Sequence, residues 1–257
     1  MQSNCVCGVN KVYLYNGKFE ELLALIMTLL PLKLKNVDIK NECQYENNLL
    51  EETITINIID KEKKLNYLYN TISKNIMHII YYVYLSNNQN KENVIYYFIL
   101  NTLIYKEKIL NYLCLNCVNK AINISKYVGS EAHKLKGFTR FKKMKNNFYY
   151  AEIKPVNNVL LILANHFSKR LSNEYFLIKD VGRNIYAMYD TKNITILNSE
   201  DIKLLNLELD KSEKFMEELW KNFFNTIGIK ERKNLKCQMN FMPKRYWEYM
   251  IEMEDKI

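Results

Sequence analysis

Residues 138–155 read FTRFKKMKNNFYYAEIKP, and the conformation of this stretch separates an all-helical chain from a mixed one. Two extended runs flank Asn146 and Asn147, residue types that tolerate the left-handed backbone of a tight hairpin turn. Gly137, just ahead, breaks the helical pattern that precedes it. Upstream, residues 65–136 repeat apolar positions at helical spacing in LNYLYNTISKNIMHIIYYVYL, ENVIYYFILNTLIY and the segment ending AINISKYVGSEAHKLK. Downstream, a helix is expected over 158–171, then strands in EYFLIKDV, RNIYAMYD and NITILN with turns at Gly182 and Lys192–Asn193. Another helix is expected over 210–227, with Met216, Trp220, Phe223 and Ile227 at its apolar spacing.

The beginning of the chain adds a strand in KVYLYN, a helix over 19–30 ended by Pro31, a loop over 35–52, and a period-two strand in TITINIID that pairs with the first. The expectation is an α+β protein. Its first half is helical with a short strand pair, and its second half is a mixed antiparallel sheet with helices. The division falls at residues 1–125 and 126–257, the two parts forming one integrated unit.

Composition narrows the partners. The chain has 257 residues, 48% of them hydrophobic, and 37 Lys+Arg against 28 Asp+Glu, for a net charge of +9 and a pI near 9.0. That length buries a sizeable core, and that sign favours a polyanion. Asn, Lys, Ile and Tyr are abundant throughout, as an AT-rich coding sequence makes them, so clustering weighs more than totals. No apolar run reaches the length of a membrane span and no signal peptide is apparent, so the expected location is cytoplasmic, with no membrane partner.

Several chemistries lack their residues. The six glycines stand at least eight residues apart, so neither a Walker A loop nor a dinucleotide fingerprint can form. One CxxC occurs, Cys114 to Cys117, with no second metal-binding pair, and both cysteines read as core thiols. The CxxxCxxC of a radical S-adenosylmethionine enzyme is missing, and no cofactor is evident. Of three histidines, His78 sits in an apolar helix pattern and reads as core. His133 and His166 border apolar stripes beside Lys134 and Arg170. Each is either a histidine satisfied at a packing boundary or a phosphate-binding or proton-transferring group. Glu131 is the acid nearest His133 in sequence. Glu152-Ile-Lys154 puts an acid and a lysine on one face of a strand, as a metal-dependent phosphodiesterase needs, although no second acid accompanies them.

Positive charge gathers in two places. Lys126, Lys134, Lys136, Arg140, Lys142, Lys143 and Lys145 face Glu131 alone, with Phe138, Phe141, Tyr149 and Tyr150 among or beside them. Near the C-terminal end, Lys230, Arg232, Lys233, Lys236, Lys244 and Arg245 face Glu231 and close on Tyr246 and Trp247. Cations that neutralise phosphates beside aromatics that stack on bases make a nucleic-acid surface. The alternative is a solvated face whose aromatics turn into the core. The candidate nucleic-acid contacts are Lys136, Arg140, Lys142, Arg170, Lys230, Arg232, Lys233, Gln238, Lys244, Arg245 and Tyr246. The candidate acid/base groups are His133, His166 and Glu131.

The motifs EAHKLKGFTRF, YYAEIKPVNNVLLILANHFSKRL, FLIKDVGRNIYAMYD and LWKNFFNTIGIKERKNLKCQMNFMPKRYW resemble those of a bacterial family named "probable DNA metabolism protein". Its domain of unknown function also occurs fused to a uracil-DNA glycosylase-like domain. The opening VYLYNGKFEELLALI is similar too, so the resemblance runs from Val12 to Tyr249. Leu235 and Lys154 depart from the pattern, standing where the family has proline and an acid. The resemblance implies a radical S-adenosylmethionine protein of DNA repair or modification as partner and DNA as ligand, and it transfers no catalytic residue. The expected function is a nucleic-acid-binding accessory protein in DNA metabolism, repair or modification. The alternatives are a glycosylase- or nuclease-like DNA-processing enzyme and a non-catalytic adaptor.

Overall fold

A computed structural model describes residues 10–32, 34, 37–46, 48, 51–145, 147–202, 208–232 and 234–256. It is α+β, with helices dominating the first half and a five-stranded mixed sheet in the second. The chain forms two compact units, Met1–Val128 and Gly129–Ile257.

In the first unit, strand β1 (Asn10–Tyr15) lies between β2 (Asp38–Asn41) and β3 (Glu51–Thr55), parallel to both. Parallel neighbours need crossovers, and a central parallel strand is covered on both faces. Accordingly Val12, Tyr13 and Tyr15 are all buried. Helix α1 (Phe19–Leu29) makes the first crossover after Gly17, whose φ of 83° suits a residue without a Cβ. Strand β2 corrects the expected loop over 35–52, and the expected strand pair is a trio. A strand with one buried apolar residue, Ile39, leaves almost no period-two signal. A side chain holds it instead: Asn93 accepts from the Ile39 amide and donates to Asp38. The TITINIID strand is shifted as well, since β3 ends at Thr55 while Ile56 and Ile58 pack against the core outside it.

Helices α2 (Lys61–Thr71), α3 (Lys74–Leu85) and α4 (Lys91–Tyr105) complete this core with Leu68, Ile76, Ile80, Val83, Ile95, Phe98 and Ile99. Each such side chain contributes roughly 1.5–3 kcal/mol by leaving water. His78 is not among them. The buried stripe of α3 is Ile76, Ile80 and Val83, which turns His78 outward onto the ring of Tyr82, 4.0 Å away. The CxxC is also split: Cys114 is exposed, while Cys117 is half-buried and accepts a hydrogen bond from Asn101.

Helix α5 (Asn116–Phe138) leads into the second unit. The expected hairpin follows, β4 (Lys142–Lys143) pairing antiparallel with β5 (Phe148–Ile153), and Asn147 adopts φ 56° at its turn. Helix α6 (Leu160–Arg170) then crosses to β6 (Tyr175–Asp180), parallel to β5. Strands β7 (Ile185–Tyr189) and β8 (Ile194–Asn198) follow as an antiparallel meander. One face of β6 presents Phe176 and Ile178, and Phe176 meets Phe141, which meets Phe167 of α6. On the other face Leu177 joins Tyr186 and Ile202, the last from the short helix α7 (Ser199–Ile202).

Helix α8 (Glu213–Ile227) forms where the 210–227 pattern predicts one. Its inward ties are polar: Glu213 accepts from the Lys143 amide, Glu217 pairs with Lys142, and the Trp220 indole donates to Glu252. Its apolar side stays in solvent. Helix α9 (Leu235–Phe241) starts on an Asn234 cap, and 3-10 turns over 244–249 and 251–256 end the described chain.

Candidate nucleic-acid interface

The charged residues of the second unit divide into those spent inside the fold and those left at its surface. Glu131 belongs to the first group. It is buried and accepts hydrogen bonds from the amides of Val156 and Asn157, the Asn157 side chain at 2.7 Å and the Tyr246 hydroxyl at 2.8 Å. Arg245 stands 3.5 Å from the same carboxylate. A buried carboxylate is costly unless such donors surround it. Its oxygens are thereby committed to two backbone segments, the one entering α6 and the one near the C-terminal end. The opposite side of the 155–156 turn is held by Arg183, which donates to the Pro155 and Val156 carbonyls while pairing with the buried Asp180. Glu131, the acid/base candidate, is therefore held as an anchor between these segments.

Arg140, a candidate nucleic-acid contact, is also engaged inside the fold. Its guanidinium grips Glu252 through two nitrogens, donates to the Gly137 and Thr139 carbonyls, and lies over the Trp220 ring. Burial raises the Glu252 carboxyl, and the hydrogen bonds from Arg140 and Trp220 outweigh it, leaving the group below the usual carboxylate range. Lys142 pairs with Glu217 at 3.0 Å and Lys145 with Glu208. The aromatics of this run turn inward as well: Phe141 packs on Phe167, and Phe138 on Tyr246. The hairpin half of the first basic cluster is thus largely neutralised.

The C-terminal cluster is mixed. Tyr246 and Trp247 are 2% and 4% exposed, and Trp247 donates to the Met242 carbonyl. Burial, opposed by the Arg245 guanidinium and reinforced by the Glu131 carboxylate, pushes the Tyr246 phenol above its ordinary value. Tyr246 thus fastens the segment to the core. Arg245 lies over the Tyr246 ring and donates to its hydroxyl, while Lys244 lies over Trp247. Arg232 is exposed and Gln238 half-buried, both lining an apolar groove beside α9. Lys233 and the side chain of Lys230 lie outside the described residues.

What remains is a face built by α5 and α6. His133 and Lys136 are three residues apart on α5 and so share a side of that helix. Lys136 in turn lies close enough to His166 of α6 to act on its charge, as do Arg170 and Lys169. Burial first, then these three cations, hold the His166 imidazole below its ordinary value. Among the described residues, Lys136, Lys169 and Arg170 enter no ion pair. Lys169 and Arg170 also complement the negative end of α6. The structure therefore brings Lys136, His166 and Arg170 together, with His133 one turn before Lys136 on α5. Glu131, two residues from His133, points the other way, so no acid joins the two histidines.

One further arrangement escaped the sequence reading. A cleft of about 250 Å³ is lined by Tyr150, Glu152, Glu248 and Tyr249 together with Arg140 and Lys142. Tyr150 donates to Glu152, which stands 3.6 Å from Lys179. Burial and the neighbouring Glu248 carboxylate push the Tyr249 phenol up to about 12. The ExK spacing pointed at Glu152, but nothing local signalled that residues 248–249 would stand opposite it. Among the described residues no group of three or more His, Cys, Asp or Glu is placed to hold a metal ion, and no helix is long and apolar enough to cross a membrane.

The chain belongs to a family described as a domain of unknown function, DUF4130, whose model matches residues 89–252. That span includes α5, α6 and the whole five-stranded sheet, and leaves out the parallel strands of the first unit. No curated protein matches the chain.

Proposed function

We propose that this member of the DUF4130 family is a nucleic-acid-binding accessory protein in DNA metabolism, repair or modification, and that it holds phosphates on the α5–α6 face. The observation that supports this reading is the inward turn of Glu131. It removes the one acid in the first basic run and leaves Lys136, Lys169, Arg170 and the two histidines as a surface of one sign. Clustered cations without counter-charges attract a polyanion and release its condensed counterions. The partner follows from the sequence resemblance alone: a radical S-adenosylmethionine protein or a uracil-DNA glycosylase-type enzyme would do the chemistry while this chain holds the strand.

The test is binding to labelled single-stranded DNA, duplex DNA and RNA across a salt series. About three or four phosphate contacts on a single strand give a log–log salt slope of roughly −2 to −3. Lys136→Glu/Arg170→Glu is expected to flatten that slope and lower affinity at least about tenfold. Lys244→Glu, at the other cluster, is expected to change it less. A salt slope near zero, or equal effects of the two variants, would remove the α5–α6 face from the reading.

A DNA-processing enzyme is the second reading, favoured by the cleft that sets Glu152 and Glu248 beside two tyrosines. In that case Glu152→Gln and Glu248→Gln, and neither histidine, would abolish turnover of a uracil-containing or nicked duplex. Turnover that survives both changes would place the chemistry outside this cleft, and no turnover by the wild type would leave the accessory reading alone.

A further inference from the structure

Cys114 and Cys117 meet at the start of helix α5. The Leu115 carbonyl accepts the first helical bond, from the Asn119 amide at 3.0 Å, so Cys114 lies one residue ahead of the cap and Cys117 is the second residue of the helix. The two sulfurs are unequal. Cys114 is exposed and follows two exposed side chains, Tyr112 and Leu113, whereas Cys117 is half-buried. An inert structural cysteine sits among apolar groups, but Cys117 is met by donors. The Asn101 side chain, tethered to the Tyr97 carbonyl, also donates to its sulfur at 3.4 Å. Burial pushes the Cys117 thiol up, and the amides of Val118 and of Cys117 itself, which favour a thiolate, oppose it. Helix α5 has no acid in its first turn, so the positive end of its dipole acts on the sulfurs unopposed by a carboxylate of that turn.

We propose that Cys114 and Cys117 are a redox-active dithiol that exchanges with a low-molecular-weight disulfide and closes reversibly to an intramolecular disulfide. The unequal burial sets the order of attack. Cys114, having lost its proton to solvent, attacks one sulfur of the incoming disulfide, and the other sulfur leaves as a thiolate that takes up a proton. Cys117 then gives up its proton and attacks the Cys114 sulfur, expelling the second thiolate, which is protonated in turn. Two protein S–H bonds are replaced by one S–S bond, and the external disulfide takes up two electrons and two protons to become two thiols. Side chains three apart on a helix hold their Cβ atoms about 5–6 Å apart, and a disulfide needs about 3.5–4.5 Å. The residues ahead of Asn116 form a turn, with the Leu115 amide bonded to the Tyr112 carbonyl, so Cys114 can close that gap without unwinding α5. An exposed disulfide of this kind belongs to the labile class rather than the structural one. A tetrahedral metal is a poorer fit, since two thiolates supply half of its ligands and among the described residues no group of three or more His, Cys, Asp or Glu is placed to hold one.

The experiment equilibrates the reduced full chain in glutathione buffers of graded ratio, quenches in acid, alkylates the remaining thiols and maps the peptides by mass spectrometry. A peptide joining Cys114 to Cys117, lighter by two hydrogens than the dithiol, is expected to grow with the share of oxidised glutathione and to vanish on return to reduced glutathione. Cys43 and Cys237 are exposed and serve as internal references, expected to carry single glutathione adducts. Cys117→Ser is expected to stop at the mixed disulfide, raising the glutathione held on Cys114 at least about tenfold over the wild type. In Cys114→Ser, Cys117 should react at least about tenfold more slowly than Cys114 does in Cys117→Ser. Serine is close to cysteine in size, so both variants should melt near the wild type. Single adducts on Cys114 and Cys117 like those on Cys43 and Cys237, with no joined peptide at any ratio, would overturn the proposal. So would a dimer of two chains linked through Cys114, or a joined peptide that reduced glutathione cannot reopen, which would make the bond structural. The inference does not rest on the accessory reading, since the glutathione titration and the salt slope of Lys136→Glu/Arg170→Glu fail separately.

Discussion

Helix α6 aligns Leu160, Leu163, Ala164 and Phe167 along one side and buries all four, whereas α8 aligns Met216, Leu219, Trp220, Phe223 and Ile227 and leaves each more than a third exposed. Both stripes follow the same helical period. The difference lies in what the chain supplies as cover. Helix α6 is the crossover between parallel strands β5 and β6, so connectivity alone lays it on the sheet. Helix α8 follows the last strand and is tied back through Glu213, Glu217 and the Trp220 indole, contacts on its polar border. Periodicity thus identifies the apolar side of a helix, and topology decides whether the same chain covers it.

Substitutions can break this contrast. The largest effect is expected at the anchor that sets the entry to α6. Glu131→Ala leaves the Val156 and Asn157 amides, the Tyr246 hydroxyl and Arg245 without their acceptor, and should cost about 3–5 kcal/mol in urea unfolding. Phe167→Ala, on the covered stripe itself, empties the space beside Phe141 and should cost about 3–4 kcal/mol. Phe223→Ser, on the uncovered stripe, should change stability by less than about 0.5 kcal/mol. If Phe223→Ser destabilised as much as Phe167→Ala, the α8 stripe would be covered in solution and the contrast would fail.

The outer side of α6 gives the smallest effect. Burial and the nearby cations depress the His166 pKa, so the folded chain takes up that proton less readily than the unfolded chain. Stability therefore falls slightly as pH drops through about 6.5, the ordinary histidine value. A polyanion on the α5–α6 face neutralises Lys136, Lys169 and Arg170 and reverses that bias. DNA affinity should accordingly rise a few-fold between pH 7.5 and 5.5, and His166→Gln should reduce the rise. A flat profile in the wild type would separate His166 from the bound strand.

The hairpin turning at Asn147, helix α6, strands β6 to β8 and helix α8 were all legible, because each carries a long periodic run bounded by turn residues. Strand β2 was not: its single inward residue, Ile39, makes no pattern, and its stabilising partner Asn93 is 54 residues away. His78 was misplaced because its helix is apolar on most sides, so composition could not say which side faces inward. At the candidate interface the clusters were legible and their allocation was not. Arg140 and Lys136 are equivalent in a charge count, yet one is closed on Glu252, 112 residues away, and the other faces solvent. Long-range ion pairing leaves no local trace.

Two long ties in the second unit join Glu131 to Tyr246 and Arg140 to Glu252, spanning 115 and 112 residues. They bear on how the protein is made. A nascent chain exposes Glu131 and Arg140 long before the ribosome has added the residues that satisfy them, so the sheet cannot close around those charges during most of synthesis. Chains cut short before Tyr246 would present an unfinished core and be cleared by proteolysis, while chains extended past Glu252 would complete the unit.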